Sequence, residues 1–248
     1  DTMMPGNLTG DIEMNNVTFS YQKDAGTVLD GISMHIKAGE YIGIVGSSGS
    51  GKSTLLKLLL GFEKPDVGKI YYDGKDIDSM DKREMRKKFG VVLQDGKLIA
   101  GSIYENITIT APNTKLKRVN EVVRDVGLED DIKRMPMGLH TVLSEGSGTI
   151  SGGQQQRVLI ARAIVNNPKI IFFDEATSAL DNVTQSMVCE SLEKLHATRV
   201  VIAHRLSTVM NCDRIFVLEK GKLIEEGNYQ ELMDLKGRFY ELAIRQIS

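Results

Sequence analysis

The sequence predicts an α/β fold with a mostly parallel sheet, and three observations predict it. Short, wholly apolar or nearly apolar runs recur at 41–45, 89–93, 170–173 and 200–203, as expected of strands covered on both faces. Stretches with helical apolar spacing lie between them, an alternation that packs helices against a parallel sheet. Between Tyr41-Ile42-Gly43-Ile44-Val45 and a helical stretch over Lys52–Leu60 stands Gly46-Ser47-Ser48-Gly49-Ser50-Gly51-Lys52-Ser53-Thr54, which fits G-x-x-x-x-G-K-[ST]. Strand, glycine-rich turn and helix form the setting in which such a segment binds phosphate. The glycines let backbone N–H groups converge on an anion, and the helix N-terminus adds partial positive charge. Lys52 is expected to reach the β/γ-phosphates, and the Ser53 hydroxyl to sit on Mg²⁺.

Taken in order, residues 1–10, with Pro5, Gly6 and Gly10, read as a linker or the cut end of a longer protein. Ile12, Met14, Phe19 and Tyr21 have strand spacing, with Asn15-Asn16 as an irregularity, and Val28–Ile36 is a second strand. Such strands ahead of the loop predict an antiparallel layer against the α/β core. Gly61 ends the loop helix, Pro65–Gly68 is turn chemistry, and Lys69–Tyr72 is a short strand closed by Asp73-Gly74. The cluster Lys82–Lys88 is a solvated helix face. Phe89–Leu93 is a buried strand ending at Gln94. Strand signals then fade, and Leu116, Val119, Val122, Val123 and Val126 share a helix face, so residues about 103–165 form a helical insertion. It includes the glycine-rich loop at 144–149 and a helix over Gln154–Val165 with Val158, Leu159, Ala161 and Ile164 on one side. Ile170–Phe173 is a strand, Val183–Leu195 a helix, and Val200–Ala203 a strand that ends at His204. Ile215–Leu218 and Lys222–Ile224 flank Lys220-Gly221 as a hairpin, and Tyr229–Ile247 is a helical region.

Bulk properties narrow the class. The 248 residues allow one large domain or two small ones. Lys+Arg 31 against Asp+Glu 33 leaves a net charge of -2, with no basic excess for nucleic acid. Cys189 and Cys212 make neither a metal spacing nor a disulfide framework, which suits a reducing compartment. No apolar run reaches membrane-spanning length and no signal-peptide layout is present, so the chain as given is expected to be soluble.

The chemistry gathers at strand ends. Asp174 and Glu175 follow four apolar residues, which is the Walker B arrangement: Asp174 would hold Mg²⁺ and Glu175 would polarise an attacking water. Alone, two carboxylates there are a strand meeting solvent; with the Walker A loop of 46–54 upstream the catalytic reading prevails. Ser151-Gly152-Gly153-Gln154 at a helix start is a second anion-binding design, and in isolation simply an N-capped helix. His35, His140 and His196 have no motif context and read as structural or solvated.

Ile150-Ser-Gly-Gly-Gln-Gln-Gln-Arg157 resembles the LSGGQ signature of ATP-binding cassette (ABC) ATPases, and the rest of the chain follows that family's order. The resemblance implies a P-loop NTPase (RecA-like) core with a mostly parallel sheet, an antiparallel β-subdomain and a helical signature subdomain, with the ATPase domain over 11–248. It makes Tyr21 the aromatic that stacks on adenine and Gln94 the glutamine that senses Mg²⁺ and the γ-phosphate. It assigns Ser178–Asp181 to the D-loop, so that Asp181 lines the nucleotide, and His204 to the γ-phosphate. Glu175 is then the base, and Ser151, Gly152, Gly153 and Gln154 complete the ATP site of a second copy paired head to tail. Ile150 in place of Leu keeps apolar bulk. Gln155 stands where a basic residue is common, which lowers the local charge slightly.

Gly10–Glu13, Gln94-Asp95 followed by Ile99–Ile107, Ser144–Gly146, His204–Thr208 and Cys212–Gly227 resemble exporters more than importers. The resemblance therefore implies the motor domain of an exporter at the cytoplasmic face of a membrane, with ATP and Mg²⁺ as cofactors. Its partners are a transmembrane domain, expected in the same full-length chain, and a second nucleotide-binding domain; no nucleic acid is expected. Gln94 through Ile107, with 144–148, would touch the membrane part. The alternative is a soluble, non-transport ABC ATPase, but such proteins carry two cassettes or long coiled coils, and this chain shows neither.

Overall fold

Which residues become strands follows from where the apolar runs fall. The computed structural model describes residues 2–93, 96–144, 149–175 and 180–247. Gln94, most of the 144–149 loop and Ser178 of the Ser178–Asp181 segment lie outside the described residues. The strands are β1 (Ile12–Phe19), β2 (Leu29–Ile36), β3 (Tyr41–Val45), β4 (Val67–Tyr72), β5 (Lys75–Asp76), β6 (Phe89–Val92), β7 (Gly101–Ser102), β8 (Val142–Leu143), β9 (Ile170–Asp174), β10 (Thr198–Ile202), β11 (Arg214–Glu219) and β12 (Lys222–Gly227). The helices are α1 (Lys52–Leu59), α2 (Lys82–Lys87), α3 (Ile103–Thr108), α4 (Leu116–Asp125), α5 (Glu129–Lys133), α6 (Gly152–Ile164), α7 (Asn182–Lys194), α8 (Leu206–Met210), α9 (Tyr229–Leu235) and α10 (Arg238–Ile244). Among the described residues no helix is long and apolar enough to cross a membrane.

The chain divides into two units, one made of residues 1–88 and 198–248, the other of 89–197. In the first unit an antiparallel sheet runs β2-β1-β4-β5, and β12-β11-β3-β10 are neighbours in a second sheet. There β3 is parallel to both β10 and β11, whereas β12 returns antiparallel to β11. All five residues of β3 are buried, as a central strand requires, and α1 follows it with Leu55, Leu56, Leu58 and Leu59 buried. The expected irregularity at Asn15-Asn16 is a register shift between Met14 and Val17, with Asn16 at a φ of 47°. Buried Tyr72 donates its hydroxyl to Leu59 O at 2.6 Å, which satisfies the phenol inside the core.

Residues 3–11 are docked along this unit. Met3 N donates to Ser79 O at 2.8 Å and Asp81 N to Met3 O at 2.9 Å. The Asp73 carboxylate, at the β4–β5 turn, accepts from Thr9 N at 2.6 Å, Thr9 Oγ1 at 2.5 Å, Asp11 N at 3.0 Å and Gly10 N at 3.2 Å. Partial burial pushes that carboxyl up, but the Thr9 hydroxyl and the three N–H groups outweigh it and hold it below its ordinary value. A depressed acid stabilises the fold fully above its unfolded value of about 3.9 and loses that contribution as pH falls through the folded value. Urea unfolding of wild type between pH 7 and pH 3 is therefore expected to show a loss of stability that Asp73→Asn, already weakened at pH 7, largely lacks.

The second unit pairs β6 with β9 in parallel and β7 with β8 antiparallel. Its core joins Ile103 and Ile107 of α3, Val119, Val122 and Val123 of α4, and Val158, Ala161 and Ile164 of α6 to Val92 and Ile171. Leu116, expected on the buried face of α4, is its first residue and stands exposed. The β7–β8 pair crosses a region in which strand signals had faded, because a two-residue pairing has no periodicity to read.

Two further differences have physical causes. Tyr229–Ile247 is not one helical region: Lys236 turns left-handed (φ 52°), and Glu225 restarts the chain by accepting from Arg238 N at 2.7 Å and Phe239 N at 2.9 Å. A Cβ at Gly237 would stand 2.2 Å from Glu225 Oε2, so a larger residue there would displace the carboxylate that holds Arg238 N and Phe239 N. Tyr21, expected on the strand, lies two residues beyond the end of β1, in a bend.

Candidate functional site

The 46–54 loop joins β3 to α1 in the first unit. Gly46 cannot carry a side chain, since a Cβ there would lie 2.3 Å from Leu218 O and 2.6 Å from Ser50 Oγ. Gly51, at φ 106°, is the N-cap of α1 and supplies no side-chain hydrogen bond; the first turn of α1 also has no acidic residue. By contrast α3, α6 and α9 each start with a full capping box. A helix start with no side-chain cap and no acidic first turn is suited to an anion from outside. Lys52, 9% exposed, folds back to donate to Gly46 O. Ser50 Oγ is buried without a hydrogen-bond partner, a cost that a phosphate oxygen in the loop would relieve. These features fit a polyphosphate.

The β11–β12 hairpin props the loop from below: Gly221 N donates to Ser50 O at 2.9 Å, and Gly221 O accepts from Asp30 N at 2.8 Å. Lys220-Gly221 is legible in sequence only as a turn, so this support was missed. Register places His204 beside the loop's start. Ile202 pairs with Ile44, so His204 and Gly46 each stand two residues past that rung, and Ala203 N donates to Ile44 O at 2.9 Å. Tyr21 also belongs here, its hydroxyl 2.9 Å from Thr54 Oγ1.

In the second unit the Val92–Phe173 rung ends the β6–β9 pair, and Asp174 and Glu175 follow at once. Both are buried, at 5% and 4% exposure. Ser151 caps α6: Gln154 N donates to Ser151 Oγ at 3.1 Å, while Ser151 N donates to Gln154 Oε1 at 2.9 Å. Ser151 Oγ is the acceptor in that bond and keeps its own proton to donate elsewhere. Both residues reach solvent, Ser151 exposed and Gln154 partly so. Arg157 fixes this helix start by donating to Gly153 O, Gly127 O and Asp131 Oδ2 at 3.0–3.1 Å. Asp181 is the N-cap of α7, accepting from Thr184 N at 2.7 Å, and that bond holds its carboxyl below the ordinary range.

A second group of residues escaped sequence reasoning. Buried Asn106 on α3 accepts from Ile99 N at 2.8 Å and donates to Ile99 O and Ser102 O at 3.1 and 2.9 Å. Arg162 of α6 grips the same segment, donating to Asn106 Oδ1 and O at 2.9 Å and to Lys97 O at 3.0 Å. Nothing in local spacing signals the part of Arg162, because its partners lie 56 and 65 residues away in sequence.

Comparison with known proteins gives consistent results. A family model described as ABC transporter matches residues 29–178. The Leukotoxin translocation ATP-binding proteins LktB of Mannheimia glucosida and Mannheimia haemolytica are each 46% identical over 235 residues, which is 94% of this chain and 33% of theirs. A solved structure of a bacterial Atm1-family ABC exporter with ATP bound superposes with a TM-score of 0.91 at 36% identity, covering 100% of this chain and 44% of that one. The chain thus spans about a third of the length of these curated relatives.

Proposed function

This chain belongs to the ABC transporter family, and from that premise we propose that it is the ATP-binding and ATP-hydrolysing motor domain of an exporter. The observation that carries the reading is the 46–54 loop, with its uncapped helix start, its buried lysine and the glycine at 46 that no other residue can replace without a clash. ATP would place its phosphates on the N–H groups at the start of α1, beside Lys52, with its adenine on Tyr21. Glu175 takes a proton from the attacking water, and His204, with Gln94, orients the γ-phosphate. Asp174 and Ser53 are the residues assigned to Mg²⁺, Gln94 a third. When bound, Mg²⁺ supplies charge neutralisation at the transferring phosphoryl group.

Two copies pair head to tail in this reading, so that Ser151–Gln154 of one donate to the γ-phosphate held by the other, with Asp181 nearby. The exposed Ser151 hydroxyl, its proton uncommitted to the cap, supports that role. Binding closes the pair and hydrolysis reopens it. The full transporter would place this domain at the cytoplasmic face of a membrane, with the segment after Gln94 through Ile107 and the 144–148 loop against the transmembrane domain.

Light scattering on the Glu175→Gln chain tests this. Adding ATP with Mg²⁺ is expected to shift it from monomer towards dimer, and a second substitution, Ser151→Arg, to abolish the shift. A dimer that forms equally well with Ser151→Arg would refute the head-to-tail assignment.

A further inference from the structure

The loop after β1 carries the aromatic ring that would meet the base, yet residues 21–27 are exposed and outside any strand. A platform on such a segment is useful only if something sets its orientation. Tyr21 is itself 48% exposed, and three contacts hold it. Its ring meets buried Phe19 edge-on, with centroids 4.9 Å apart and planes at 82°. Lys57 Nζ lies 5.7 Å from the ring centroid. Its hydroxyl is 2.9 Å from Oγ1 of Thr54, which is 6% exposed on the first turn of α1. Phe19 fixes one edge and the lysine is a flexible exposed chain, so the only rigid polar anchor among the three is Thr54.

We infer that Thr54 is the positioning residue for the base platform: its hydroxyl ties Tyr21 to the helix turn that receives the phosphates, so base and phosphate are read by one connected unit. Without that bond the ring must be ordered anew each time a base arrives, which costs affinity. The inference rests on the reading of Tyr21 and the 46–54 loop as the ATP site. It predicts that Tyr21 and Thr54 act as a pair towards a nucleotide and independently towards a ligand that has phosphates and no base.

Isothermal titration of wild type, Tyr21→Phe, Thr54→Val and the double variant, with ATP and with inorganic tripolyphosphate, tests it. With ATP each single variant is expected to bind about three- to tenfold more weakly. The double variant should lose little more than the weaker of the two singles. With tripolyphosphate the two substitutions should be additive. Thr54→Ser, which keeps the hydroxyl, is expected to bind ATP within about twofold of wild type and controls for misfolding of Thr54→Val. Losses that add with ATP, or equal coupling with both ligands, would overturn the positioning role while leaving the ATP site intact. Wild type that binds neither ligand would overturn the site reading itself.

Discussion

Replacing Glu175 by Gln is expected to lower ATP turnover by about two to four powers of ten while ATP still binds. Glu175 follows β9 directly, on the residue after Asp174, and is 4% exposed. Glutamine keeps the shape and the acceptor carbonyl of glutamate but cannot accept the proton of an attacking water. Loss of turnover with retained binding therefore isolates proton transfer from packing. Phosphate release measured beside ATP titration reads both quantities. A variant turning over at near wild-type rate would mean that another group activates the water. A variant that loses ATP binding as well would point to a structural role at the end of β9.

Gly46→Ala should be far more damaging to the phosphate loop than Gly49→Ala. The added carbon would stand 2.3 Å from Leu218 O and 2.6 Å from Ser50 Oγ. Leu218 is fully buried and pairs with Leu223 in the β11–β12 ladder, so its carbonyl cannot step aside. The loop must move instead, and a displacement of about 1 Å of a positioning group costs on the order of a hundredfold in rate. Gly49→Ala is the informative comparison, because nothing lies within 4 Å of a Cβ there and only the φ of 79° resists it. The expected ranking in kcat/KM for ATP is wild type, then Gly49→Ala, then Gly46→Ala far below. The reverse ranking would show that backbone conformation, and not the contact with β11, limits the loop.

Sequence alone determined what local chemistry can determine. Buried strands announce themselves as apolar runs, so β3, β6, β9 and the core of β10 were legible to within a few residues. The 46–54 loop, the Asp174-Glu175 pair and the Ser151–Gln154 cap are contiguous segments whose residue types encode their geometry: glycines for a bend, a hydroxyl for a cap, carboxylates at a strand's end. The break at Lys236-Gly237, the β7–β8 pairing and α8 were not legible, being too short or too dependent on a distant partner such as Glu225 to leave a pattern. Tertiary structure alone decided which residues support the site. Gly221 props Ser50, Arg162 grips Asn106 and Lys97, and Thr54 anchors Tyr21, each across tens of residues. A hydrogen bond between remote residues has no periodicity and no spacing. Only folding, by bringing β11 beside β3 and α6 beside α3, creates the distances at which such bonds exist.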